Sequence, residues 1–133
     1  MSRYMLDTDI CAFALRGPSE RLRKKLLGTE IDDQVISVVT LAELLLGVRL
    51  SSKVAQNRAA LTAFTRHLAV LDFTAEAAEH YADIRAHLQR KGTLIGANDL
   101  LIAAHARSLP AVIVTNNERE FRRVPGLKVE NWV

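Results

Sequence analysis

Short apolar runs that alternate with helix-forming stretches are the feature that most constrains the fold of this chain. Branched aliphatic residues dominate these runs, which is typical of buried strands. Because strands joined through helices pair in parallel, the pattern predicts an α/β fold of three layers, α/β/α, with a central parallel sheet. The predicted strands are Tyr4–Leu6, 35–39, Ala69–Leu71, 111–114 and 127–129.

The helical segments between the runs carry recognisable start and stop signals. Ser19 and Thr74 are residue types favoured at helix N-caps, and glycines at 28 and 92 are suited to helix ends. Thr40 is expected to cap a helix over 41–48, whose weak polar face indicates burial. The other predicted helices cover residues 10–15, 20–27, 53–67, 75–91, 96–108 and 118–122.

Length and composition limit the class of protein. A chain of 133 residues, 49% hydrophobic and 25% charged, predicts one folded domain over residues 1–133. No apolar run reaches the roughly 18 residues of a membrane span, and no signal peptide is expected. The single cysteine, Cys11, fits a reducing compartment, so we expect a cytoplasmic protein. The net charge of +3 weakly favours a polyanionic partner.

Carboxylates stand beside apolar segments at three places. Asp7 follows the first strand, Glu43 lies in the first turn of the helix after the second, and Asp99 lies in the first turn of an apolar helix. Residues past the carboxyl ends of parallel strands share one rim, where ligands bind. Buried acids are costly unless paired or metal-bound, and no lysine or arginine lies in these motifs. Their oxygens favour Mg²⁺ or Mn²⁺.

Each acid also has a local explanation that concerns only its helix. Thr40 and Glu43 have the spacing of a capping box, and Asn117 and Glu120 repeat that spacing. Asp9 is a candidate cap for the first helix. These alternatives involve no ligand, so the sequence leaves both interpretations open at this point.

Two further local patterns bear on the acids. Asp99 is placed to complement a helix dipole, and Asn98 is expected to be a cap rather than a ligand. The Asp7-Thr8-Asp9 triplet is similar to the start of phosphatases of the haloacid dehalogenase type. Cys11 departs from the D-x-D-x-[TV] pattern of that group, and no lysine partner is evident.

Four motifs, taken as a set, resemble those of PIN-domain ribonucleases, and more closely those of VapC toxins of bacterial type II toxin–antitoxin systems. They are Tyr-Met-Leu-Asp-Thr-Asp at 4–9, Ser-Val-Val-Thr-Leu-Ala-Glu-Leu at 37–44, Gly-Ala-Asn-Asp-Leu-Leu-Ile-Ala at 96–103 and Val-Thr-Asn-Asn-Glu-Arg-Glu-Phe at 114–121. No single motif is specific, but the four occur in order over nearly the whole chain.

The resemblance implies a PIN-like fold and a Mg²⁺- or Mn²⁺-dependent endoribonuclease whose metal ligands and catalytic acids are Asp7, Glu43 and Asp99. The family often has a fourth acid where this chain has Asn117, which is expected in the catalytic set as an uncharged residue. Glu120 and Asp9 are candidates to return negative charge. The Asn-Asn-x-Arg-Glu-Phe ending is similar to the branch that cleaves initiator tRNA in the anticodon loop.

The same resemblance implies partners. A cognate VapB-type antitoxin is expected to block the crevice, with a homodimer and a larger complex on promoter DNA. Thr8, Thr115, Arg119 and Arg122 are expected to contact RNA, with a tRNA as the expected substrate, and contacts to phosphates weaken with salt. The alternative is a non-catalytic PIN-like module that binds RNA or protein, in which the acids serve as helix caps.

Overall fold

Five short strands form the centre of the structure, a computed structural model that describes residues 2–133. The strands are β1 (Tyr4–Leu6), β2 (Gln34–Ser37), β3 (Ala69–Leu71), β4 (Val112–Val114) and β5 (Lys128–Glu130). All neighbours are parallel, in the order β3-β2-β1-β4-β5. The predicted parallel sheet is confirmed, with strand boundaries shifted by one or two residues.

Helices connect the strands and cover both faces of the sheet. They are α1 (Thr8–Arg16), α2 (Glu20–Leu27), α3 (Val38–Leu50), α4 (Val54–Thr65), α5 (Ala75–Lys91), α6 (Ala97–Ser108) and α7 (Glu118–Phe121), with a 3₁₀ turn at Ile31–Asp33. The predicted helices are all present, although α1 begins at Thr8 rather than at residue 10. Within residues 2–133, none of the helices has the length and apolarity needed to cross a membrane.

Alternating side chains on the strands divide the core into two layers. Met5 and Ile113 pack into one hydrophobic cluster with residues of α5, α6 and α7. Leu6 and Val114, the next residues along β1 and β4, pack into the other cluster with residues of α1 to α4. Successive strand residues point to opposite faces, so two apolar neighbours in each strand supply both cores. This arrangement is the predicted α/β/α sandwich.

The start of α3 differs from the sequence prediction. Ser37 is the N-cap, and its hydroxyl oxygen accepts from the Val39 amide at 3.1 Å. The observed cap therefore lies three residues before the expected one, Thr40, and the helix begins inside a segment that its β-branched residues had indicated to be strand. Glu43 consequently lies beyond the first turn, so the capping-box interpretation of Thr40 and Glu43 is wrong.

Two glycines give a matched test of the helical backbone. Gly92 ends α5 in the left-handed conformation (φ 69°), whereas Gly47 lies inside α3 with open space where a Cβ would stand. We expect Gly92→Ala to lower the free energy of unfolding by about 1–2 kcal/mol and Gly47→Ala to raise it by about 0.5–1 kcal/mol. Urea unfolding of both variants measures the difference; equal effects would contradict the left-handed helix end.

Candidate active site

Three neighbouring strands deliver polar residues to one rim of the sheet. Asp7 directly follows β1, its amide donating to the Val114 carbonyl at 3.0 Å. Helix α3 starts directly after β2, and Thr115 follows β4. Because β2, β1 and β4 are adjacent, their carboxyl ends bring these segments together. The predicted rim is present in the structure.

Asp7 is the most deeply buried acid of the rim, with 3% of its surface exposed. Its Oδ1 accepts from the Ile10 amide at 2.9 Å, so Asp7, and not Asp9, caps α1. Burial raises the pKa of Asp7 to about 7, against hydrogen bonds from the Thr115 hydroxyl and the Ile10 amide. The charges of Asp9 and Asp99 add to the rise. The side chain thus holds a charge near neutral pH only at a cost.

Asp99 lies in the first turn of α6, as predicted, among other carboxylates. Burial, together with the charges of Glu120, Glu43 and Asp9, raises its pKa to about 6. The favourable interaction of Asp99 with the helix dipole is therefore smaller than the unfavourable effects of burial and of the neighbouring carboxylates. A role confined to its own helix does not explain this acid.

Glu43 is held by hydrogen bonds from two other helices. Its Oε1 accepts from the Thr8 hydroxyl at 2.6 Å, and its Oε2 accepts from the Asn98 amide at 3.1 Å. Gly96, which has no side chain, occupies the N-cap of α6. The prediction that Asn98 is a cap is therefore wrong. Thr8, expected to contact RNA, has its hydroxyl directed at an acid of the same chain.

The segment after β4 holds Thr115 and Asn117 in a tight turn. The Asn117 backbone amide donates to the Thr115 hydroxyl oxygen at 2.8 Å, and Thr115 is completely buried. Thr115 was expected to contact RNA, but the structure places it beneath the rim, against Asp7. Asn117 precedes α7 without forming a side-chain cap, so the capping box proposed for Asn117 and Glu120 is also wrong.

A buried histidine joins the two helices that carry Glu43 and Asp99. His105 of α6 is 1% exposed, and its Nδ1 lies 2.8 Å from the hydroxyl oxygen of Ser37, the cap of α3. Its ring meets Phe73 edge to face, and within the described residues its Nε2 has no hydrogen-bond partner. Burial lowers the pKa of His105, so the imidazole is neutral, and its hydrogen bond with Ser37 links α6 to the start of α3.

The two arginines expected to bind RNA differ in their surroundings. Arg122 is bound to Glu118 one helical turn away, with 3.2 Å between Nη2 and Oε1. Arg119 is exposed and takes part in none of the ion pairs found within residues 2–133. Both flank Glu120 in the chain, which places positive charge next to the acidic rim.

The acids of the rim are suited by their chemistry to a hard divalent cation. None of them is part of an ion pair within the described chain, although Asp7 and Asp99 interact with each other and with further carboxylates. Among residues 2–133, no three histidine, cysteine, aspartate or glutamate side chains are already grouped closely enough to form a metal site. An all-oxygen donor set without a neutralising cation of its own matches the preference of Mg²⁺ or Mn²⁺.

Comparison with known proteins places the chain in a family. The family model described as "PIN domain" matches residues 4–127. A "tRNA(fMet)-specific endonuclease VapC" of Salmonella typhimurium is 42% identical over 99% of both chains, and "Ribonuclease VapC2" of Rickettsia felis is 43% identical over 97% of both. The chain therefore belongs to the PIN-domain family, among the VapC ribonucleases.

A solved structure supports the same grouping. The VapC chain in "Crystal structure of DNA bound VapBC from Salmonella typhimurium" superposes with a TM-score of 0.95 at 41% identity over the full length of both chains. A VapBC2 complex from Rickettsia felis bound to a promoter fragment gives a TM-score of 0.90 at 42% identity, covering 98% of each chain. The predicted family is confirmed.

Sequence reasoning gave too little weight to Glu120 and misassigned Asn98. Glu120 was a minor candidate for a missing fourth acid, yet it is the charged neighbour with the largest effect on Asp99. The available signal was its place in the short helix directly after β4, which points back to the rim. Nothing in the sequence distinguishes an Asn98 that caps α6 from one that reaches across to α3.

The raised pKa values predict that the metal-free protein loses stability as the pH rises. The folded state holds protons on Asp7 and Asp99 that the unfolded chain releases near pH 3.8, so the free energy of unfolding should fall between about pH 4 and pH 7. Asp7→Asn keeps a cap for Ile10 without the charge. We expect this variant to be more stable than wild type at pH 8 by on the order of 3 kcal/mol, and to show a weaker pH dependence.

Thermal unfolding of both proteins at pH 4.5 and pH 8 provides the measurement. The matched control is Asp83→Asn, because Asp83 is exposed and an adjacent arginine lowers its pKa. A stability gain at pH 8 for Asp83→Asn equal to that of Asp7→Asn would show that the effect follows from the loss of any carboxylate charge rather than from the burial of Asp7.

Proposed function

We propose that this chain is the endoribonuclease toxin of a type II toxin–antitoxin system and hydrolyses RNA with a bound Mg²⁺ or Mn²⁺. The observation that carries the proposal is the concentration of mutually repelling carboxylates, Asp7, Glu43 and Asp99, on one rim of a PIN-domain sheet. Relatives that share more than 40% of their residues over nearly the full chain are named ribonucleases.

The chain's own residues divide into three roles under this proposal. Asp7, Glu43 and Asp99 would hold the cation, which would supply Lewis-acid chemistry, lowering the pKa of a water and stabilising negative charge on the phosphate. Glu120, beside Asp99, adds negative charge where Asn117 supplies none. Asn117 orients a water or a phosphate oxygen through its amide. The burial of Asp7 reduces competition from bulk water for its carboxylate.

The target and partners follow from the relatives' names and remain part of the proposal. The Salmonella relative is named specific for tRNA(fMet), and the Asn-Asn-x-Arg-Glu-Phe motif at 116–121 supports the same substrate here. The two solved relatives described above are complexes named VapBC, and both are bound to DNA. We infer a VapB-type antitoxin as the partner of this chain, a homodimer, and a joint complex on promoter DNA.

Removal of single charges from the rim should abolish RNA cleavage. We expect purified wild-type protein to cut initiator tRNA within the anticodon loop in the presence of Mg²⁺ or Mn²⁺, and EDTA to stop the reaction. Asp7→Asn and Asp99→Asn should each reduce the rate by at least about 100-fold, because a metal ligand is lost. Sequencing of the RNA ends identifies the cut, and elongator tRNAs test its specificity.

Asp32→Asn is the matched control, since Asp32 is an exposed acid of the 3₁₀ turn. If wild type, Asp7→Asn and Asp99→Asn cut equally, the proposed acids are not the catalytic ones. If the wild-type protein binds RNA but cleaves none at any concentration of either metal, the non-catalytic PIN-like module becomes the better description.

Arg119 and Arg122 should contribute differently to RNA binding. Arg119 is available for a phosphate contact, whereas Arg122 is engaged with Glu118. We expect Arg119→Ala to weaken RNA binding several-fold and to reduce the slope of log Kd against log salt by about 1. Arg122→Ala should have a smaller effect. Filter binding of tRNA in EDTA, at several salt concentrations, measures affinity without cleavage; equal slopes for all three proteins would exclude a phosphate contact by Arg119.

A further inference from the structure

Both carboxylate oxygens of Glu43 accept a hydrogen bond from an uncharged side chain. Thr8 reaches Oε1 from the first residue of α1, and Asn98 reaches Oε2 from the first turn of α6. Glu43 itself lies in the middle of α3. The Glu43 side chain thus connects α1, α3 and α6 at the rim.

The uncharged nature of the two donors matters for what Glu43 can do. A lysine or arginine in their place would fix the carboxylate but also neutralise it, and would compete with a cation. A hydroxyl and an amide fix it while leaving its full negative charge. Each carboxylate oxygen has two lone-pair positions, so one hydrogen bond to each leaves both oxygens able to coordinate.

Fixing Glu43 has an energetic consequence. A glutamate side chain loses up to about 2 kcal/mol of conformational freedom when it is held in one rotamer. If Thr8 and Asn98 hold Glu43 before a cation arrives, the entropic cost of ordering Glu43 does not reduce the free energy of cation binding. Asp7 needs no such help, because it is buried and bound to the Ile10 amide. Glu43 is the longer and less buried ligand candidate, so it gains most from external support.

We propose that Asn98 is a positioning residue that, together with Thr8, preorganises Glu43 for cation binding. The inference rests on the proposed metal-dependent function. Asn98 acts only through Glu43 and takes no part in the reaction itself. Its exposure and the absence of any helix-capping role mean that the fold does not require it. Alanine also has a higher helix propensity than asparagine, so Asn98→Ala should not destabilise α6.

The experiment measures Mn²⁺ binding by isothermal titration calorimetry to full-length wild type, Asn98→Ala and Asn98→Asp, without RNA. We expect Asn98→Ala to raise the Kd for Mn²⁺ by about 10-fold, since partners that orient metal ligands typically contribute 10–100-fold. Asn98→Asp replaces the donor by a carboxylate and should leave Glu43 equally unsupported. Gln89→Ala, which removes an exposed helix amide from α5, is the matched control and should bind as wild type does.

Thr8 gives an independent test through rescue by a conservative variant. Thr8→Val removes the hydroxyl and should weaken Mn²⁺ binding, whereas Thr8→Ser keeps the donor and should restore it to within about twofold of wild type. The melting temperatures of the metal-free Asn98→Ala and wild-type proteins should agree, which separates positioning from folding. In a Glu43→Gln background, Asn98→Ala should cause little further loss, because the residue it orients no longer carries charge.

Three results would overturn the inference. One is a Kd for Asn98→Ala within twofold of that of a metal-binding wild type. Another is equal weakening by Thr8→Val and Thr8→Ser. The third is a full 10-fold loss that persists in the Glu43→Gln background. Failure of the wild-type protein itself to bind Mn²⁺ and to cleave RNA is a different outcome, which overturns the proposed function and the inference with it.

Discussion

Uncompensated negative charge at the carboxyl end of the central strands is the constraint on which the rest of the site depends. Asp7 is almost completely enclosed, yet within the described residues no arginine or lysine pairs with it. Its carboxylate accepts from Ile10 and Thr115, which offset part of the desolvation. The neighbouring acids add repulsion instead of relief. This negative charge, which the described residues leave without a neutralising partner, is the physical basis of the proposed cation site.

The sheet makes this arrangement possible because both of its faces are covered. Each of the three central strands supplies side chains to two apolar clusters, and this burial stabilises the rim against the repulsion of its acids. The strands are only three or four residues long, so every residue of a strand lies close to one of its ends. Functional side chains therefore stand one or two residues from core side chains, as Asp7 does from Leu6.

The sequence was sufficient for the architecture and insufficient for the contacts that the acids of the rim make. The apolar runs that alternate with helix signals predict the sheet, because apolar residue types indicate which segments are buried. The cap of α3 was placed wrongly at Thr40 because β-branched residues 38 and 39 favour strand locally, and tertiary packing overrides that preference. The link from Asn98 to Glu43 joins residues 55 positions apart, which no local pattern encodes.

The contact between His105 and Ser37 joins the two helices that carry Glu43 and Asp99. Glu43 lies six residues after Ser37 along α3, and Asp99 lies six residues before His105 along α6. About 9 Å of helix therefore separates the buried contact from each acid. An increase of about 10° in the angle between the two helices would move the backbones of Glu43 and Asp99 apart by about 1.5 Å. The spacing between the two acids thus depends on the angle at which the helices cross, and a change at the contact between His105 and Ser37 can adjust it without altering either carboxylate.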